Sequence, residues 1–197
     1  MLCTSNTNLL QKNLRLLCTF SKRYILWYYL TEGGIQNAPY LFKEKIITEI
    51  ESNRSVYNHL TEDFGEVYLY GNFDTYDRLS FFVKPKDKHY TIYSVYGSIS
   101  YDDKLEQCFA KQKEVEKEFS SIYKNAKKSK STIEFAWDPT GESVSHNIMF
   151  VLDSGDNIEV NCTKYKKSLK IENNWEDALQ VTVNKKEISD WFNNLIN

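Results

Sequence analysis

The sequence predicts an α+β domain: an antiparallel sheet of about six or seven strands with helices packed on one face, plus a helical N-terminal arm. Three observations carry this. Apolar residues recur every three or four positions through the first 60 residues, the period then changes to two, and one long amphipathic stretch interrupts the alternating runs midway.

Within residues 8–30, Leu9, Leu10, Leu14, Leu17 and the aromatic block from Tyr24 to Tyr29 fit a helix that Gly33 and Gly34 end. Pro39 precedes a second helical pattern with Phe42, Ile46, Ile47, Ile50 and Tyr57 on one face. Residues 1–62 are therefore read as the arm and 63–197 as the α+β domain. From Glu66, Val67 and Leu69 alternate with Tyr68 and Tyr70; Leu79, Phe81 and Val83 then share a face, and a tyrosine-rich run extends from Tyr90 to Ile99. Residues 85–88 read as a hairpin turn, and Gly97 suggests a bulge or twist in the third strand.

The central helix is marked by Leu105, Cys108, Gln112, Val115, Phe119 and Ile122 at spacings of three and four, with lysines and glutamates on the other side. Asp103 and Glu106 form a capping-box-like start, and Lys127, Lys128 and Lys130 trail the end that favours cations. Three more alternating runs follow: Ile133, Phe135 and Trp137; Val144, His146, Ile148, Phe150 and Leu152; Ile158, Val160 and Cys162. A last strand with Leu179, Val181 and Val183 leads into a terminal helix capped by Asn184, with Glu187 at N3, that buries Ile188, Trp191, Phe192 and Leu195. The domain reads as two successive units of three strands and a helix, with no residue-level repeat between them.

Composition narrows the function classes. With 41% hydrophobic residues, seven glycines and three prolines, disordered and collagen-like chains are excluded. A formal net charge of −2 gives no global attraction to nucleic acid or anionic membranes. The 21 lysines against four arginines, with 17 asparagines, point to an AT-rich genome, which weakens arguments from any single Lys or Asn. The most apolar run, residues 24–30, lies between Arg23 and Glu32 and is too short to span a bilayer, so no membrane span is expected. Ser21-Lys22-Arg23 interrupts the apolar stretch that a secretory leader would need.

Cys108 and Cys162 fall on the inward stripe of the central helix and the inward face of a strand. Either they are bonded, which implies an oxidising compartment and a periplasmic or exported protein, or they are two buried free thiols of a cytoplasmic one. Cys3 and Cys18 add no C-x-x-C pair, and no metal or cofactor is expected. His146 shares a face with Val144 and Ile148, so it is either a satisfied core histidine or a base beside Cys108; His59 and His89 sit in no motif. Asp153 to Asn157, and Asp74 with Asp77, read as turns rather than calcium loops. No phosphate-binding, zinc-protease or nucleophile-elbow motif occurs.

Lys124 to Lys130, and Lys164, Lys166, Lys167 and Lys170, could meet phosphate, but scarce arginine argues against it and no nucleic acid is expected. Tyr68, Tyr70, Tyr93 and Tyr96 supply more aromatic surface than one core needs. They are the candidate interaction surface of a small non-enzymatic binding domain whose partner is another protein. An enzyme using Cys108 and His146 is the rival reading, and a lysine-mediated nucleic-acid binder the third.

The segments Phe81 to Lys88, Gly97 to Tyr101, Cys108 with Lys111 to Glu114, Glu118 to Ser121, Asn125-Ala126, Ser154 to Asp156 and Cys162 together resemble a group of small proteins of AT-rich marine bacteria with no assigned activity. The resemblance covers the last two thirds of the chain and not the first 60 residues. It implies a bacterial origin and, through the two recurring cysteines, favours an exported, oxidised domain; it supplies no catalytic residues.

Overall fold

The structure, a computed structural model, describes residues 63–69, 75–84, 87 and 91–196. The expected N-terminal arm, Tyr70, His59, His89 and most of the 85–88 turn lie outside them. The described elements are β1 (Gly65–Leu69), β2 (Arg78–Val83), β3 (Ile92–Ser100), α1 (Leu105–Ile122), β4 (Lys127–Glu134), β5 (Val144–Val151), β6 (Asn157–Lys164), α2 (Lys167–Asn173), β7 (Ala178–Asn184) and α3 (Lys186–Ile196). This is an α+β fold on one antiparallel sheet of seven strands in the order β1-β2-β3-β7-β6-β5-β4.

Two meanders meet at the centre of the sheet. β1, β2 and β3 pair in sequence, α1 carries the chain across to the far edge, and β4 to β7 return until β7 pairs with β3. The second half therefore holds four strands with α2 inserted before the last, rather than a second unit of three strands and a helix.

Register assigns every strand residue to a face, because directly opposed residues point the same way. Leu79, Gly97, Val181, Val160, Ile148 and Lys130 are successive partners across six strands and define the first face. Phe82, Ser94, Asn184 and Asn157 are successive partners on the second. α1 lies on the first face over β6 and β7, where Cys108 and Gln112 are buried against Ile158, Val160 and Leu179. Gln112 Nε2 donates to the carbonyls of His146 and Val160 at 2.6 and 2.8 Å.

Rather than sharing that face, α3 packs on the second. Phe192 meets Phe82 edge-on at 5.4 Å, and Asn157 Nδ2 donates to Ser189 Oγ at 2.7 Å. Periodicity shows that a helix has an apolar side, not which side of a sheet will take it. The chain leaves β7 through Lys185, whose N–H is held by the Tyr93 carbonyl, and this turns α3 toward Phe82.

Three other expectations change for tertiary reasons. Asn184 does not cap α3: its side chain accepts from Ser94 Oγ and donates to Asn157, while Asp156 accepts the Lys186 N–H. Asp103 does not cap α1 either; Lys104 holds that position without a side-chain cap. Asp103 takes a left-handed φ of 55° and, with Asp102 and Asp177, pairs with Lys170. Those carboxylates hold the Lys170 ammonium above its ordinary range although burial works the other way.

Gly97 sits in regular register, and the irregularity falls between Phe82 and Val83, where Tyr93 is the extra residue. What Gly97 provides is room. A Cβ there would lie 2.7 Å from Cδ1 of Tyr76, so the bare backbone lets the Tyr76 ring lie against the sheet.

Candidate functional site

Sequence alternation places Ile133, Phe135 and Trp137 in one strand, but β4 ends at Glu134 and the two aromatic residues lie in the following loop. There they join Tyr165 and Trp175. Phe135 and Trp137 stack at 4.7 Å with 18° between planes, and Tyr165 lies nearly parallel to Phe135 at 6.1 Å. Trp175 meets Trp137 edge-on at 5.3 Å and Tyr165 at 5.0 Å. The two indoles nevertheless remain 49% and 38% exposed.

The loop that carries Trp137 is held by one carboxylate. Asp138 accepts from Thr140 Oγ1 at 2.6 Å, from Thr140 N and from Ser143 N at 2.8 Å, and Gly141 takes the positive φ that closes the turn. Hydrogen bonds from Ser143 and Thr140 keep the Asp138 carboxyl far below its ordinary range. Ser143 Oγ accepts from Lys166 N, and Asp177 accepts from Tyr165 N, so the two aromatic loops are tied to one another and to the end of β7.

Beside the cluster, on the second face, is a cleft of about 170 Å³. Tyr96, Tyr165 and Trp175 form its walls, Ser98, Ser100 and Gln180 its polar floor, and Asp77, Arg78 and Glu176 its mouth. Arg78 and Glu176 approach to 3.4 Å. Burial pushes the Tyr96 and Tyr165 hydroxyls above the ordinary phenol range, so both remain hydrogen-bond donors at neutral pH. The arrangement can grip a flat or apolar group between rings while hydroxyl, amide and guanidinium groups bond its polar edge.

Of the tyrosines singled out by sequence, Tyr68 and Tyr96 share the second face on either side of Ser80 in the register. Tyr68 is exposed, and its hydroxyl donates to Glu66 at 2.8 Å. Tyr93 lies elsewhere, at the bulge, against Phe64 at 5.1 Å and under the ammonium groups of Lys84 and Lys185. Trp137, Tyr165, Trp175 and Arg78 were not singled out. The signal for the tryptophans was available: each sits among turn-forming or polar residues, where a large aromatic side chain has no strand face to bury against.

Cys108 and Cys162 come together. Their Cα atoms are 6.0 Å apart, the sulfurs lie at disulfide distance, and both residues are buried. His146 instead faces Thr132, whose Oγ1 is 3.1 Å from Nδ1, and Phe109, which its ring meets edge-on at 5.0 Å. Some of the lysines singled out by sequence are tied to carboxylates: Lys128 and Lys130 to Glu116, Lys166 to Glu142, and Lys170 to three aspartates. Among the described residues, no group of three or more His, Cys, Asp or Glu side chains could hold a metal ion, and no helix is long and apolar enough to cross a membrane.

Farther along the second face, Glu159 and Asn161 form a half-buried polar pair on β6. Burial pushes the Glu159 carboxyl up, tempered by a hydrogen bond from Asn161, whose Oδ1 is buried without a partner. A raised native value means that folded Glu159 keeps its proton where the unfolded chain has lost it, so this group's contribution falls as pH rises from the ordinary carboxylate range through the native value. Glu159→Gln is therefore expected to stabilise the fold at pH 7 by about 1 kcal/mol, with the gap closing as pH falls toward about 4. Urea unfolding of both proteins across that range checks it; equal stability at pH 7 counts against the account.

Compared with known proteins, the chain matches no family model, no curated protein and no solved structure. The functional reading therefore rests on the site itself.

Proposed function

We propose that this chain is a small non-enzymatic binding domain that takes another protein at the aromatic cleft and the tyrosine-bearing second face beside it. One observation carries the reading: Trp137 and Trp175 stay open to solvent within an aromatic cluster, and the loop that carries Trp137 is tied down by Asp138. Large rigid aromatic groups and arginine dominate binding energy at protein interfaces, and a surface ordered in advance loses less entropy on association. Arg78, Asp77 and Glu176 at the mouth add charges of both signs that fix orientation. Tyr96 extends the aromatic surface toward Tyr68 across the same row.

The rival chemistry has less support. A sulfur bonded to another sulfur is not a nucleophile, and Cys108 is buried, so a Cys108–His146 pair lacks its attacking group while that bond stands. The same pair supports an oxidising, extracytoplasmic location.

The test is affinity capture from the source organism, comparing the oxidised wild-type chain with the Trp137→Ala/Trp175→Ala double variant, followed by titration of the recovered protein. A partner retained by wild type and bound at least about tenfold more weakly by the equally stable double variant supports the proposal. No protein enriched on wild type over the variant would sink it.

A further inference from the structure

β4 ends the sheet. Its register with β5 runs unbroken from Lys127 opposite Val151 to Glu134 opposite Val144, and all eight residues are exposed. Phe135 N donates to Ser143 O at the end of this ladder. Alternation from that bond turns the N–H and C=O groups of Lys128, Lys130, Thr132 and Glu134 away from β5. Among the described residues, nothing pairs with this outer rim.

Sheet edges of this length are usually blunted by proline, a bulge or charged side chains, lysine above all. β4 has no proline and no bulge, and its one such device is lysine, whose charge repels a basic strand or a second copy but not an acidic strand. Lys127, Lys128 and Lys130 fall within its first four residues, in a chain whose formal net charge is −2. Glu116 of α1 meets Nζ of both Lys128 and Lys130 at 2.8 Å. One carboxylate thus holds two ammonium groups over the first face, that of Lys128 above the Phe150 ring of β5, and neutralises only half their charge, while Lys127 lies on the opposite face.

We propose that β4 accepts an extended acidic segment of a partner protein as an eighth strand. The outer rim supplies the main-chain hydrogen bonds, and the three lysines select carboxylate side chains over neutral or basic ones. A second copy of the chain would bring the same three lysines to the seam, so charge favours an acidic segment over self-pairing. This surface is distinct from the aromatic cleft, and the proposal stands or falls separately.

The experiment titrates the full oxidised, isotope-labelled chain with a capped ten-residue peptide of alternating glutamate and valine, and separately with its lysine-and-valine counterpart. The expected result is a saturable set of amide shifts centred on residues 127–134 for the acidic peptide alone, weakening with added salt. Thr132→Pro removes one outward N–H without touching the β5 ladder and should abolish the shifts while leaving the fold intact. Lys127→Glu should weaken binding by about tenfold through charge alone, which keeps the test decisive should the proline variant fail to fold. Absent shifts, shifts on other strands or equal binding of the two peptides would overturn the proposal. So would sedimentation showing a dimer that already protects the β4 amides, which would assign the edge to a second copy.

Discussion

Replacing Cys108 and Cys162 together by alanine is expected to lower the free energy of unfolding by about 4 kcal/mol, close to half the stability of an ordinary domain of this size. The bond closes a loop across a sequence separation of 54, from the first turn of α1 to the sixth strand, and its loss returns that loop's conformational freedom to the unfolded chain. It also removes a side-chain cross-link between α1 and β6, which otherwise meet through packing and the Gln112 hydrogen bonds. Urea unfolding of the oxidised, the reduced and the doubly substituted chain measures the effect, with the last two expected to coincide. A digest of the native protein should yield a linked peptide containing both cysteines. Recovery of Cys108 and Cys162 as free thiols from protein purified under oxidising conditions would refute the account and the compartment drawn from it.

The second large effect is expected at Phe150, whose replacement by alanine should cost about 3–5 kcal/mol. Phe150 is 1% exposed on the first face of β5, meets Phe119 of α1 at 6.0 Å, and lies 5.9 Å beneath the Lys128 ammonium. Truncation leaves a hole under the C-terminal half of α1 and takes away the ring on which Phe119 rests. Phe150→Leu refills most of that volume and should cost under about 1.5 kcal/mol. A double-mutant cycle with Phe119→Ala should show coupling, because the two side chains share one contact. A loss below about 2 kcal/mol for Phe150→Ala would mean that α1 settles into the space and that the core is less tightly packed than its burial indicates.

The same physics explains which parts of this fold were legible. β2, β5, β6 and β7 each bury one face, so alternation of Leu79 and Phe81, Ile148 and Phe150, Ile158 and Val160, and Leu179 and Val181 revealed them directly. α1 showed its stripe for the same reason, and with it the inward positions of Cys108 and Cys162. The extent of β4 was not legible because an exposed edge strand has no apolar face to display; Lys128 and Lys130 on one face pair with Glu116, and Lys127 lies on the other. α2, with no buried residue in its seven positions, left no periodic mark either.

The candidate cleft was less readable still. Tyr96 and Tyr68 were visible as surplus aromatic residues, but Trp137, Tyr165 and Trp175 come from segments far apart in sequence, and no local period relates them. Asp138 looked like an ordinary turn residue, and the structure shows that its carboxylate orders the loop presenting Trp137.

By itself, then, the chain's order of apolar and polar residues determined the class of fold, the long central helix, the existence of the buried strands and the inward aim of both cysteines, because each depends on periodicity along a single segment. Only the tertiary structure decided that β7 would pair with β3, that α3 would take the opposite face from α1, that Asp103 and Asn184 would leave their caps for distant partners, and that four aromatic side chains would meet beside a cleft. Those outcomes turn on contacts between segments tens of residues apart, where energies of packing and pairing outweigh local preference and no spacing along the chain records the choice.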